Sequence, residues 1–331
     1  AFEAEGITGI GVMQSNHPRT DPDAMVQVAS VQTLAKRNIP DAALVIQDEC
    51  HINAKVMDKL MEDRPDVFFI GLSATPWTKG MGKRWQDLVI GATTQDLIDA
   101  GHLCDFRVYA AAHPDLTEVK ILAGDYREDQ LSEAMQGGTL VADIVTTWLE
   151  KGENRPTLAF CVDRAHAASV HRQFMQAGIA AAYVDMNTDR IERQVIEKQF
   201  RSGEVKVACS VRTLTTGVDW PVACIIDAAP TRSIMLHVQK IGRGLRVNPP
   251  HDDCIVLDHS DNTLRLGFVT DIGSNMLDDG KAKEKDVGRD YEAALEMIRR
   301  SGQQGVPVVA TEDEVILGFD QLRLARIAEK Y

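Results

Sequence analysis

Short apolar runs alternate with amphipathic stretches along most of this chain. Thr157 to Val162, Ala180 to Asp185, Val205 to Val211, Cys224 to Ala228 and Cys254 to His259 read as strands. Between them Leu140 to Lys151, Arg164 to Ala177, Asp189 to Arg201 and Ser233 to Ile241 carry helical spacing, with Gly178 and Gly203 as stops. Strands apolar along their whole length, alternating with amphipathic helices, predict a parallel sheet covered on both faces. Ligands of such sheets sit at the carboxyl ends of the strands.

The first part of the chain has the same character with weaker punctuation. Ala1 to Glu5 reads as the last turn of a helix stopped by Gly6, and Ile10 to Met13 as a strand. Met25 to Leu34 begins as a strand and turns helical. Leu44 to Ile46 and Val67 to Thr75 read as buried strands flanking a helix at Ile52 to Asp63. Thr94 to Ala100 is a short helix capped by Thr93 or Thr94, and Cys104 to Ala111 is a strand expected to close a first domain over residues 1–111. Residues 112–138, with Pro114, Gly124, Gly137, Gly138 and many acids, read as a connection bearing one short helix at Glu128 to Gln136. A second domain spans 139–270. Residues 271–331 form an extension with a charged stretch, Asp278 to Gly288, and helices at Tyr291 to Arg300 and Gln321 to Lys330. No segment is long and apolar enough to span a membrane.

Candidate chemistry lies at the strand ends. The run Leu44 to Ile46 leads into Asp48-Glu49-Cys50-His51. Two adjacent acids at a strand end suit a metal–nucleotide site: one carboxylate holds Mg²⁺ and the other orients or deprotonates a water. A solvated surface pair is the plain alternative. Phe68 to Pro76 ends in Ser73-Ala74-Thr75, Val207 to Pro221 contains Thr216-Gly217-Val218-Asp219, and Gln239 to Arg246 reads QKIGRGLR.

In order and spacing these four stretches resemble the DEAD/DEAH-box helicases of superfamily 2, over about residues 1–270. Asp48 to His51 looks like motif II in its DECH form, Ser73 to Thr75 like motif III, Thr216 to Asp219 like motif V and Gln239 to Arg246 like motif VI. Within the superfamily the chain looks most like the bacterial and phage branch related to the type III restriction-enzyme motor subunits. The resemblance implies an α/β fold of two RecA-like parallel-sheet domains, the first incomplete, with a small helical C-terminal extension. It implies Mg²⁺ and ATP in a cleft between the domains, with Asp48 on the metal and Glu49 on the water. Gly217 and Asp219 would serve the nucleotide, Asp219 at the ribose, while Arg243 and Arg246 meet the phosphates and Gln239 positions water or the γ-phosphate. Gln32 and Thr33 would touch a nucleic-acid backbone, and Ser73 and Thr75 would couple nucleotide state to grip. The implied activity is that of an ATP-dependent helicase or translocase, acting on DNA rather than RNA.

Three features depart from that pattern. Gln47 stands before Asp48 where an apolar residue is usual, and Val218 stands where many relatives have an aromatic. The family's phosphate-binding loop, G-x-x-x-x-G-K-[ST], is missing from the sequence. Gly6 to Gly11 lacks the Lys-Ser/Thr pair, and Gly80 to Arg84 has Arg where the hydroxyl belongs and follows motif III; both read as loops. An N-terminally truncated helicase accounts for this, with weak ATP binding as its consequence. The alternative is an inactive helicase-like module that binds nucleic acid.

Composition changes little. The net charge of −13 over 331 residues argues against a uniformly basic nucleic-acid binder but leaves room for a local basic track. The six cysteines form no C-x-x-C pair and read as reduced core thiols of a cytoplasmic protein. His251, Cys254 and His259 are the nearest approach to a zinc set, and Cys254 opens a strand, which argues against a metal there. Trp77 and Trp85 are expected to pack beside a loop rather than stack on bases.

Overall fold

A computed structural model describes residues 2–280, apart from 38, 53, 111–112, 123, 136–137, 212, 216–218 and 275, together with 308–310 and 315–317. The chain divides into two units, Ala1–Val89 with Ser274–Ala282, and Ile90–Gly273 with Lys283–Tyr331.

In the first unit a 3-10 turn at Phe2–Glu5 precedes β1 (Ile10–Met13), which pairs in parallel with β2 (Val26–Ala29). Helix α1 (Val31–Leu34) follows, its N-terminus capped by the Ser30 hydroxyl, which accepts from the Thr33 N–H. Strand β3 (Leu44–Gln47) pairs in parallel with β4 (Phe68–Gly71) across α2 (Lys55–Asp63), which buries Met57 and Leu60. Cys50, Met81 and Trp85 form a small core with Phe69, Met61 and Leu277. Gly71 is what lets Trp85 in: a Cβ there would stand 2.6 Å from the indole and 2.7 Å from the Cys50 sulfur. Trp85 is packed, as its sequence setting suggested. Leu44, Ile46, Phe68 and Ile70, expected to be buried from their apolar runs, are exposed, because β4 pairs with no strand but β3 among the described residues.

In the second unit α3 (Thr94–Asp99) opens with a capping box between Thr93 and Asp96. Then come β5 (Asp105–Tyr109), β6 (Ile121–Leu122), β7 (Asp125–Tyr126), α4 (Glu128–Met135), α5 (Gly138–Lys151), β8 (Thr157–Cys161), α6 (Arg164–Gln176), β9 (Ala181–Val184), α7 (Arg190–Ser202), β10 (Val207–Ser210), β11 (Cys224–Ala228), α8 (Ile234–Gly242), β12 (Asp253–Asp258) and α9 (Asn262–Leu266). Six strands form one parallel sheet in the order β5-β12-β11-β8-β10-β9. Successive residues of β8 point to opposite faces and both faces are buried: Leu158 and Phe160 join one core, Ala159 and Cys161 the other.

Three further expectations change. The strand at 104–111 does not close the first unit; β5 is an edge strand of the second unit's sheet, paired with β12. Arg107 binds Asp253 across that pair at 2.5 Å, and the Cys104 N–H donates to the Leu245 carbonyl. The expected boundary at 111 accordingly gives way to one near 90. Nor is 112–138 a bare connection. The antiparallel hairpin β6–β7 and helix α4 sit on the second unit, where Asp125 accepts from the Thr231 hydroxyl at 2.6 Å and from the Arg232 N–H at 2.8 Å, and Ser132 binds Asp163 at 2.5 Å. Finally, the extension read as helical contains an antiparallel pair, β13 (Val308–Ala310) with β14 (Val315–Leu317); the helices expected at Tyr291 to Arg300 and Gln321 to Lys330 lie outside the described residues.

Candidate functional site

The acid pair stands where β3 runs out. The Glu49 N–H donates to the Asp48 side chain at 2.9 Å, and Glu49 takes a left-handed backbone, φ +49°. That turn ends the strand sharply. Asp48 is exposed and Glu49 half-buried. The ladder to β4 continues beyond both strands, Leu72 N–H to Gln47 O at 2.8 Å and Cys50 N–H to Leu72 O at 3.0 Å. It sets the turn carrying Asp48 and Glu49 beside the segment carrying Ser73 and Thr75.

A side-chain chain then joins them. His51 Nδ1 lies 3.4 Å from the Glu49 carboxylate and 2.9 Å from the Ser73 hydroxyl. Ser73 Oγ accepts the Thr75 N–H at 3.0 Å, and Thr75 is fully buried. Burial holds the His51 pKa below its ordinary value, against the opposing pull of Glu49 and Asp48, so the ring is neutral at pH 7. The bridging role of His51 went unread in the sequence. The signal available was its place two residues after Glu49, at the end of a strand whose neighbour ends in hydroxyls.

Gln47, the departure before Asp48, turns inward: it is buried, and its amide reaches the Ile52 carbonyl at 3.5 Å. Arg84 ties the same turn to α2, with Asp58 at 2.5 Å and the Cys50 carbonyl at 3.4 Å. The glycine loop before Arg84 is spoken for as well. Asp278 accepts the Gly80 N–H on its carboxylate at 2.9 Å and the Gly82 N–H on its carbonyl at 2.8 Å. Its amides are not arranged around an open phosphate cradle. Gln32 is exposed, while the Thr33 hydroxyl is engaged within the loop by Ser30 at 2.8 Å and the Ser15 N–H at 3.3 Å.

In the second unit α8 starts at the Ser233 cap and presents Gln239, one turn before Arg243. Arg243 Nε donates to the Thr215 carbonyl at 2.8 Å. Arg246 Nη1 binds the Asp219 carboxylate at 2.7 Å, and both side chains are largely exposed. Gly217 lies outside the described residues. The Arg243–Arg246 loop lies hard against the sheet: a Cβ on Gly244 would stand 2.3 Å from the Cys254 sulfur and 2.9 Å from Ile225. The second glycine of QKIGRGLR is therefore a packing requirement.

A polar cluster invisible in the sequence lies under α8. Lys240 and Asp227 are both buried and paired, and Asn262 donates to the other Asp227 oxygen at 2.8 Å. No group of three metal-ligating side chains forms among the described residues, so His251, Cys254 and His259 do not constitute a site. All six cysteines are free and buried. No helix among the described residues is long and apolar enough to cross a membrane.

Against known proteins, residues 140–248 match the family described as helicase conserved C-terminal domain. The chain is 32% identical over 255 residues to a Saccharomyces cerevisiae protein named as the ATP-dependent helicase IRC3, a match covering 71% of this chain and 37% of that one. It is 29% identical over 208 residues to a 51.5 kDa protein of a Lactococcus phage, covering 61% of this chain and 46% of that one. It thus spans less than half the length of these relatives. Among solved structures, a fragment described as an HsdR subunit of a type I restriction enzyme from Vibrio vulnificus superposes with a TM-score of 0.64 at 21% identity, covering 83% of this chain and 53% of that one.

Proposed function

The chain belongs to the superfamily 2 helicases, and on that footing we propose that it forms part of a motor coupling ATP hydrolysis to movement along nucleic acid. The observation that carries this reading is the run Glu49–His51–Ser73–Thr75. A surface acid pair needs no neutral imidazole holding it to the hydroxyls of the next strand end. A site that must report the state of a phosphate to a distant grip does.

Asp48, exposed and free of any cation in the described contacts, offers the hard oxygen that Mg²⁺ takes. In this proposal Asp48 holds the ion, which when bound neutralises charge on the phosphates. Glu49 orients the attacking water and takes its proton, and His51 fixes the carboxylate. Gln239, Arg243 and Arg246 act on the transferring phosphoryl group, where such arginines contribute about 10³-fold or more in rate. Gly217 and Asp219 serve the nucleotide, Asp219 at the ribose, while Gln32 and Thr33 meet the nucleic-acid backbone, and Ser73 and Thr75 relay between nucleotide and strand. DNA is the preferred substrate in this reading, on the sequence resemblance to the restriction-motor branch, and the location is cytoplasmic.

The test is nucleic-acid-stimulated ATPase, measured on the protein that the full open reading frame encodes, beside Glu49→Gln. The expected result is hydrolysis that nucleic acid stimulates and Glu49→Gln abolishes. If that protein is inert with both DNA and RNA present, the chain is a binding module and the motor reading fails.

A further inference from the structure

We propose that the buried ion pair Lys240–Asp227 is a positioning device that sets the rotation of α8, and through it the aim of Gln239 and Arg243. The inference rests on the motor reading above for what those two residues do.

Helix α8 seats itself with the stripe His237, Lys240 and Ile241, which Gly244 and Leu245 continue in the turn beyond its end at Gly242, all buried. Gln239 lies one residue before Lys240, about 100° around the helix from it. Arg243, the C-cap three residues after Lys240, keeps right-handed helical dihedrals and bonds its N–H back to the Lys240 and Ile241 carbonyls. Whatever fixes the azimuth of Lys240 therefore fixes theirs. An apolar stripe alone holds a helix loosely in rotation, because hydrophobic contact is non-directional.

Lys240 removes that freedom. Its ammonium donates to Asp227 Oδ1 and, at 2.8 Å, to the Ala229 carbonyl, both at the carboxyl end of β11. The carboxylate is itself pinned, since Asn262 donates to Asp227 Oδ2 at 2.8 Å and also to the Ala229 carbonyl at 3.0 Å. The Asn262 carbonyl in turn accepts from the Thr231 N–H at 2.9 Å and from Arg265 at 2.7 Å. His237, one turn earlier on α8, is locked to the Gly267 carbonyl at 3.1 Å. Lys240 and Asp227 are 1% and 0% exposed. A buried ion pair stabilises a fold little, since desolvation offsets its attraction, and its attested use is to specify one geometry. Its position between two residues of the phosphate-facing set is where such geometry matters, since small misplacements of a group that meets the transition state cost rate.

The experiment compares Lys240→Met and Asp227→Asn with the unsubstituted protein, alone and on an Arg243→Ala background, in the full open reading frame. Thermal unfolding first establishes that each variant is folded at the assay temperature. The expected result is a fall in kcat of about tenfold or more with KM for ATP within about twofold. On Arg243→Ala, Lys240→Met is expected to add less than about twofold, because the residue it aims is already gone. A folded Lys240→Met with unchanged kcat, or a loss that multiplies fully with Arg243→Ala, would overturn the proposal. Amide hydrogen exchange supplies an arm that needs no turnover: Lys240→Met should speed exchange at Ile241 to Arg246 while leaving β8 unchanged. Uniform or absent acceleration also overturns it. If the unsubstituted protein shows no ATPase, the motor reading has failed, and the exchange arm alone decides whether Lys240 sets the helix.

Discussion

Arg246 donates from Nη1 to the Asp219 carboxylate at 2.7 Å, joining two residues expected on different parts of one nucleotide. Asp219 is exposed and Arg246 half-buried, and pairs this close to solvent contribute little to stability. Arg246→Ala and Asp219→Ala are expected to leave the melting temperature essentially unchanged, while Arg246→Ala lowers ATPase kcat by about tenfold or more. A loss of activity matched by a loss of folded protein would contradict this division of labour.

At the other end of the chemistry, His51→Ala should uncouple rather than unfold. It leaves Glu49 and Asp48 in place but removes the bridge to Ser73. Basal ATPase should fall by about tenfold, as expected for loss of an orienting partner, and the fold stimulation by nucleic acid should fall further. Equal stimulation factors in His51→Ala and the parent would show that the bridge carries no signal.

Gly244→Ala tests packing instead of catalysis. The added methyl would meet Cys254 at 2.3 Å and Ile225 at 2.9 Å, both fully buried on the central strands β12 and β11. Overpacking of this sort costs about 1–3 kcal/mol. Urea unfolding should show that loss, and Cys254→Ala should recover part of it by removing the sulfur.

Acid should weaken the second unit through two histidines. Burial pushes His166 and His259 down to about 4 from 6.5. Such a group binds fewer protons folded than unfolded between those values, so its stabilisation is intact above pH 6.5 and is lost as pH falls toward 4. The full effect is roughly 3 kcal/mol for each group. Asp258, whose pKa also lies low because hydrogen bonds from Ser260 and Thr263 outweigh its burial, adds a further loss below its ordinary 3.8. Chemical denaturation at pH 7.5 and pH 4.5 should differ markedly, and less so in His259→Gln. A flat profile would mean that the protonated rings find hydrogen-bond acceptors or carboxylates in the folded state.

The sequence announced strand ends where chemistry and periodicity coincide: β3 stops before Asp48-Glu49 and β12 before His259-Ser260, whereas β4 stops at Gly71, short of the expected Thr75. It could not announce which sheet a strand joins. β5 has the alternation of any half-buried strand, and its partner residue Asp253 is 146 positions from Arg107. Lys240 is a similar case, since a lysine on an amphipathic helix reads as solvated and only the fold shows Asp227 waiting beneath it. The hairpin β6–β7 was hidden because Gly124 and the acids around it look like linker, and what ties it down, Thr231, lies 106 residues from Asp125. Local pattern determined the elements; long-range polar pairs determined their assignment.

The bare face of β3 and β4 has a colloidal consequence. Leu44, Ile46, Phe68 and Ile70 stand exposed on two strands that pair only with each other among the described residues, which is a template for another chain. The charge of −13 keeps molecules apart in dilute buffer, but its reach shrinks to about 10 Å at 0.1 M salt. Added salt, usually a remedy for sticking to nucleic acid, should here promote self-association, and Phe68→Lys should reverse it in light scattering. How long this protein stays dispersed will depend as much on the counter-ions around it as on its own concentration.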